Sequence, residues 1–261
     1  MTEYLLQLHN LNITDRDGAS LIKDLNIDIL KNKVNVLIGE SGSGKSLTVS
    51  ALVQQYPTDL TVTFDSYLYQ GQPVQNVRHL LGSKIGYISQ NYASSFNDHT
   101  KLKKQLIAIY RTHRDASKGE ALKQIERALG WVNLDSEEIL GKYRFMLSGG
   151  QLERVYIASV LMLEPELIIA DEPVAALDVI NGNRIMELIQ HIAKEHDTTL
   201  LLITHNLSHV LKYADNIHVI NDGKTIEHGS LDYFNNASIN PYTKKLFNAR
   251  SQLIRKEDDD A

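Results

Sequence analysis

Three short clusters bring together residues suited to holding anions, a divalent cation and water. Gly39-Glu40-Ser41-Gly42-Ser43-Gly44-Lys45-Ser46 has the full spacing of a phosphate-binding P-loop. In that pattern the glycines let backbone amides turn inward around phosphates, Lys45 adds a point charge, and the Ser46 hydroxyl can ligate Mg²⁺. A plain Gly-Ser turn would need neither the apolar stretch before it nor the helix-compatible stretch after it. Further on, Leu167-Ile168-Ile169-Ala170 delivers two adjacent carboxylates, Asp171 and Glu172. Asp171 is placed to hold Mg²⁺, directly or through water. Glu172 is placed to orient or deprotonate an attacking water, a role worth ~10²–10⁴ in rate. Alone, such acids serve equally well as caps or solvated loop residues; the upstream loop gives them a shared ligand. Third, Leu147-Ser148-Gly149-Gly150-Gln151 pairs a good helix N-cap with two glycines whose amides lie open to an anion, a second phosphate-binding helix start.

These clusters need strands and helices to aim them. Tyr4 to Thr14 and Leu21 to Leu30 alternate with period two, as half-buried strands do, with Asp15 to Ser20 turning between them. Val34 to Ile38 reads as a short apolar strand entering the P-loop, and Ser46 to Gln55 as a helix closed off by Pro57. β-Branched and aromatic residues predict further strands over Thr61 to Tyr69 and Lys84 to Ser89. Between Asn91 and Phe145, Leu102, Leu106, Ile109, Leu122, Ile125 and Leu129 recur at helical spacing among charged residues, so this stretch reads as a small helical insert. A helix then runs from Ser148 to Leu163. Leu167 to Ala170 and Leu200 to Thr204 are fully apolar strands of the kind buried in parallel sheets, separated by a helical stripe at Ile185, Leu188, Ile189 and Ile192. Asp222-Gly223 marks a tight hairpin between Asn216 to Asn221 and Lys224 to Glu227. The acidic run Glu257 to Asp260 reads as a solvated end.

Composition narrows the choice. The 261 residues are 43% hydrophobic and 23% charged, ordinary for a globular chain with a sizeable core. A formal charge of -5 argues against a dedicated nucleic-acid binder. The absence of cysteine removes disulfides, thiolate metal sites and cysteine nucleophiles together, and suits a reducing compartment. The first ten residues lack the basic and apolar blocks of a secretory signal, and no apolar run approaches the ~20 residues of a membrane span. A membrane role is therefore expected to come through a partner.

The spelling Leu147-Ser148-Gly149-Gly150-Gln151, lying between a P-loop and a strand ending in Asp171-Glu172, resembles the signature of the ABC transporter family. The resemblance covers nearly the whole chain. It implies an α/β fold: a P-loop NTPase core with a mixed, largely parallel sheet, antiparallel β elements at the N-terminus, and an inserted ABC α-helical subdomain. A single domain over 1–261 follows, with core segments 1–90 and 146–235, helical subdomain 91–145 and tail 236–261. ATP and Mg²⁺ are the implied cofactors, with Ser46, Gln90 and Asp171 toward the metal and Glu172, Gln90 and His205 in catalysis. Gln90 resembles the glutamine that relays nucleotide state to a membrane subunit, Asp178 the acid that works across a dimer interface, and His205 the histidine that contacts the γ-phosphate. Each also has a plain reading, as a surface residue, an N-cap and a satisfied strand-end histidine. Ser148 to Gln151 would close on nucleotide held by a second subunit, so each chain carries half of each site.

Asn240-Pro241-Tyr242-Thr243 resembles the element after the ATPase core in the oligopeptide, dipeptide and nickel importer branch, with Asn240 where that branch has histidine. This implies a motor that powers uptake of nickel, another chelated metal or short peptides. Its implied partners are a second, paralogous ATPase, two permeases and, indirectly, an extracellular binding protein. The implied location is peripheral, at the cytoplasmic face of the cell membrane. The alternatives are a non-transport ABC ATPase, or the ATPase of an exporter or assembly complex. Asp15 to Ser20 lacks the aromatic residue that such proteins usually stack on adenine, which predicts weaker base discrimination. His205 and His209, four apart, have the spacing of a zinc-binding helix, but Asn206 stands where a general-base Glu would follow.

Overall fold

The computed structural model describes residues 3–90, 92–173, 179–195, 197–204, 212–236 and 238–248. Its elements, in chain order, are β1 (Tyr4–Thr14), β2 (Ser20–Leu30), β3 (Val34–Ile38), α1 (Lys45–Leu52), β4 (Thr61–Thr63), β5 (Ser66–Tyr69), β6 (Gln72–Pro73), β7 (Ile85–Ile88), α2 (Leu102–His113), α3 (Lys118–Trp131), α4 (Ser136–Leu140), α5 (Gly149–Leu161), β8 (Leu167–Asp171), α6 (Val179–Glu195), β9 (Thr199–Ile203), β10 (Asn216–Asn221), β11 (Lys224–Gly229), α7 (Leu231–Asn236) and α8 (241–248). They divide into two compact units, Met1–Arg78 with Thr199–Ala261, and His79–Thr198. The second unit takes β7, β8, α5 and α6 together with the helical segment, so sequence positions 90 and 146 both fall inside it.

In the first unit, β1, β2, β4, β5 and β6 form a five-stranded antiparallel sheet. Leu6, Leu8, Leu11 and Ile13 of β1 are buried, as are Ile22, Leu25, Ile27 and Ile29 of β2. Alternation thus fixes register, since a one-residue slip would turn those side chains outward. The strand expected over Thr61 to Tyr69 is split into β4 and β5, both antiparallel to β1 in the same register. The break lies opposite Asn10, whose φ of 54° distorts β1 at that point. Beside this sheet, β10, β3 and β9 run parallel, with Ile217 against Val36 and Val36 against Leu202. β11 completes the edge antiparallel, through a two-residue turn in which Asp222 and Gly223 both have positive φ. The Thr225 hydroxyl accepts from Asn26 N at 3.2 Å and donates to Asn26 O at 3.0 Å, tying β11 to β2.

β3 is less apolar than its neighbours suggest, because Asn35 is fully buried. Its Oδ1 accepts from Leu30 N at 2.8 Å and from Asn216 Nδ2 at 3.1 Å, and its Nδ2 donates to Leu30 O at 2.9 Å. The amide therefore satisfies backbone groups at the β2–β3 bend that would otherwise be desolvated without partners. α1 ends at Leu52, earlier than Pro57 alone implies: Gln54 takes a left-handed φ of 48°, the usual way to stop a helix, before the proline is reached.

In the second unit, β7 and β8 pair in parallel, with Ile88 against Ala170. Leu102 and Leu106 of α2 and Ile125 and Leu129 of α3 are buried as expected. Ile109 and Leu122 are only half-buried; Ile107, Tyr110, Ala121 and Ala128 take the inner positions instead. α6 likewise buries Ile185, Met186, Ile189 and Ile192, while Leu188 stays at the margin. α3 begins with a reciprocal capping box between Ser117 and Glu120, which satisfies two helix-start amides and fixes where the chain turns into the helix.

His218 on β10 is 2% exposed, and burial pushes its imidazole down to about 4. The folded state therefore keeps the ring neutral while the unfolded chain takes a proton below about 6.5. Stability contributed by the neutral ring is complete above 6.5 and is lost as pH falls toward 4. Melting temperatures measured between pH 6.5 and 4.5 should drop by ~4 °C more for the wild type than for His218→Gln; equal slopes would remove the ring from the acid response.

Candidate nucleotide-binding site

The P-loop leaves β3 at Gly39 and enters α1 at Lys45. Gly39 is buried against β10, where any Cβ would collide with the Ile220 carbonyl oxygen, so no other residue fits. Gly44, the N-cap of α1, has φ 105° and abuts the Ile22 side chain. Ser43 N donates to Glu40 O at 3.1 Å, closing the loop, and Gly223 N of the β10–β11 turn donates to Ser43 O at 3.0 Å, bracing it from outside. Lys45 is 8% exposed, and its Nζ donates to the Gly39 and Glu40 carbonyls at 2.8 and 2.9 Å. These two acceptors are neutral carbonyls that a phosphate oxygen can replace. α1 carries no acid in its first turn, so nothing there competes with an anion at the helix start. Ser46 and the Glu40, Ser41 and Gly42 stretch are exposed.

In the second unit, the parallel pairing of β7 and β8 brings Gln90, just beyond β7, to the same sheet edge as Asp171 and Glu172. Such carboxyl-terminal strand edges are where open α/β sheets collect ligands. Burial and the negative charge of Asp171, to which it also hydrogen-bonds, raise the Tyr87 phenol well above its ordinary range, so the hydroxyl stays protonated. Tyr156 on α5 stitches the same strand end, donating to Tyr87 O at 3.1 Å and accepting from Ser89 N at 3.3 Å. Glu172 adopts φ 46°, a left-handed backbone that costs a non-glycine residue about 1 kcal/mol and redirects its side chain relative to the strand. Neither tyrosine carries a sequence signal of this role, because their hydroxyls meet their partners only through strand pairing. Asp178, His205 and His209 lie outside the described residues. Among the described residues no group of three or more His, Cys, Asp or Glu is arranged to hold a metal ion.

Ser148 caps α5 in a full capping box: Gln151 N donates to Ser148 Oγ at 3.2 Å, and Ser148 N donates to Gln151 Oε1 at 3.1 Å. The box consumes two of the helix-start amides and leaves those of Gly149 and Gly150 to meet an anion. Gln151 therefore acts on the loop through the cap. Ser148 and Gly149 are exposed. Arg154, a residue the sequence pattern did not single out, fixes the loop by donating to Gly150 O at 3.2 Å and to Val132 O and Asn133 O at 3.3 and 3.2 Å. Its signal was its place one helical turn beyond Gly150.

Closed anion loop, acidic strand end and second glycine-bearing helix start together define an ATPase of the P-loop class. Residues 22–175 match the family described as ABC transporter, and the chain belongs to that family. The nickel import system ATP-binding protein NikD of Staphylococcus aureus strain USA300 is 57% identical over 251 residues, spanning 96% of this chain and 98% of NikD. Among solved structures, cbiO1 from Clostridium perfringens, part of the ABC transporter complex cbiONQ, superposes with a TM-score of 0.75 at 27% identity, over 90% of this chain and 92% of that one. The bacterial ABC transporter cassette MJ0796, seen as a dimer, gives a TM-score of 0.73 at 25% identity, over 87% of this chain and 98% of its own. No helix among the described residues is long and apolar enough to cross a membrane.

One turn into α5, Glu153 is 4% exposed, its Oε2 makes no hydrogen bond, and burial pushes its carboxyl up to about 7. The folded state keeps the proton after the unfolded chain has lost it, so stability falls as pH rises from about 4.5 to 7. Glu153→Gln should melt ~3 °C higher than the wild type at pH 8 and at nearly the same temperature at pH 4.5. A variant no more stable at pH 8 would place the ionised carboxylate in a solvated position.

Proposed function

We propose that this chain is the ATP-hydrolysing motor of an ABC importer that takes up nickel. Identity of 57% over 96% of the chain to a nickel import ATP-binding protein carries the assignment of transport and cargo. The P-loop geometry supports the motor: a closed loop, a buried lysine on exchangeable carbonyl acceptors, and a helix start free of acids. We read the two compact units as one ATPase domain over 1–261.

In this reading the amides of Gly39 to Ser46 and the Lys45 ammonium grip the triphosphate. Ser46, Asp171 and Gln90 offer hydroxyl, carboxylate and amide oxygens, the hard donors that suit Mg²⁺. Bound there, Mg²⁺ neutralises charge on the β- and γ-phosphates. Tyr87 holds Asp171 in place, and the left-handed backbone of Glu172 aims its carboxylate to take a proton from water attacking the γ-phosphate. His205 is assigned to the γ-phosphate and Asp178 to the dimer interface. Ser148, Gly149 and Gly150 close on nucleotide held by a second ATPase subunit, a paralogue of this chain, with Gln151 shaping the loop. Closing and reopening of that pair drives two permease subunits at the cytoplasmic face of the cell membrane, with nickel delivered by an extracellular binding protein.

Lys45→Ala should weaken ATP binding more than tenfold, whereas Glu172→Gln should keep binding and lose at least ~10² in turnover, accumulating a closed dimer on size exclusion. Hydrolysis by Glu172→Gln at the wild-type rate would remove Glu172 as the base. In cells, deleting the chain should abolish uptake of radioactive nickel and leave dipeptide uptake intact; the opposite pattern would reassign the cargo to peptides.

A further inference from the structure

The segment carrying Asn240-Pro241-Tyr242-Thr243 has no part in the chemistry above, yet it reaches the P-loop. Glu40 N donates to the Tyr242 hydroxyl at 3.0 Å across 202 residues of sequence. Glu40 is the pivot of the loop. Its carbonyl accepts from Ser43 N at 3.1 Å and from Lys45 Nζ at 2.9 Å, so the turn and the lysine both hang on this one residue. Its carboxylate lies 3.7 Å from Lys245 Nζ, but that lysine side chain is 77% exposed, and an ion pair so open to water adds little. The hydroxyl is thus the contact from the C-terminal segment that fixes the pivot.

Tyr242 is itself held on a built support. Asn240 Oδ1 accepts from Tyr242 N at 2.9 Å, an N-cap contact that starts α8 with Pro241 in its first turn. Asn240 N donates to both Glu227 carboxylate oxygens at 3.1 Å, and Tyr233 donates to the same carboxylate at 2.9 Å. Thr243, next in the chain, is fully buried. A ring whose backbone is pinned from β11 and anchored by a buried neighbour cannot follow the loop if the loop shifts.

We propose that Tyr242 is a positioning residue for the P-loop: by holding the Glu40 amide it keeps the loop in its nucleotide-ready shape and makes nucleotide affinity depend on the C-terminal element. The inference rests on the reading that this loop binds ATP.

The full-length wild type, Tyr242→Phe, Asn240→Ala and Lys45→Ala proteins would be titrated with an ATP analogue bearing a fluorescent ribose label. Apo melting temperatures and hydrogen exchange of the 38–44 peptide would be recorded alongside. Losing one neutral hydrogen bond at the pivot should weaken Tyr242→Phe binding about fivefold. Exchange in the 38–44 peptide should quicken, with the apo melting temperature within ~2 °C of wild type. Asn240→Ala, which loosens the ring without removing the hydroxyl, should lose about twofold to threefold in the same direction. Affinity of Tyr242→Phe within about 1.5-fold of wild type overturns the proposal, and if melting temperature falls instead, the residue serves stability alone. Wild-type affinity in Lys45→Ala would overturn the underlying P-loop reading, a failure separable from that of Tyr242.

Discussion

The site rests on a close approach of backbone to backbone. Gly39 lies so near the Ile220 carbonyl that a side chain is excluded, and this contact lets β3 turn sharply into a loop without leaving the sheet. From it follow the closing bond from Ser43 to Glu40, the start of α1 at Lys45, and the burial of a lysine that would otherwise extend into water. At 8% exposure the ammonium takes part of its solvation from two carbonyls in place of water. The loop is therefore preorganised, with its turn closed and its lysine buried ahead of any ligand.

Preorganisation recurs at the acidic strand end by other means. The Tyr87 phenol hydrogen-bonds Asp171, and Tyr156 pins the strand that carries that phenol. Glu172 takes a left-handed backbone at φ 46°. At Ser148 the capping box occupies the Ser148 and Gln151 amides, so the hydroxyl sets the geometry of the helix start.

Much of this was legible in the residues themselves. Gly-x₄-Gly-Lys-Ser after an apolar strand announces its loop because each position has a separate steric or charge reason. Alternation in β1 and β2 and the turn at Asp222-Gly223 likewise depend on neighbours in sequence. What was hidden depends on neighbours in space. Asn35 reads as an interruption in a hydrophobic strand until Leu30 and Asn216 are seen around it. The break between β4 and β5 comes from a distortion in β1, some fifty residues earlier. Helical spacing located α2 and α3 and most of their inner faces, since Leu102, Leu106, Ile125 and Leu129 are buried, but Ile109 and Leu122 stay at the margin while Ile107, Tyr110, Ala121 and Ala128 are buried instead.

The Thr225 hydroxyl, bonded to both the amide and the carbonyl of Asn26, has a bearing on how the molecule behaves in a crowded cell. An outermost strand invites unfamiliar chains to zip onto it. Here one side chain spans from that strand to the neighbouring sheet and occupies a donor and an acceptor at once. The groups so occupied are the backbone amide and carbonyl of Asn26 on β2, itself the outermost strand of its sheet, so at that residue an intruding strand would have to displace both bonds before it could pair.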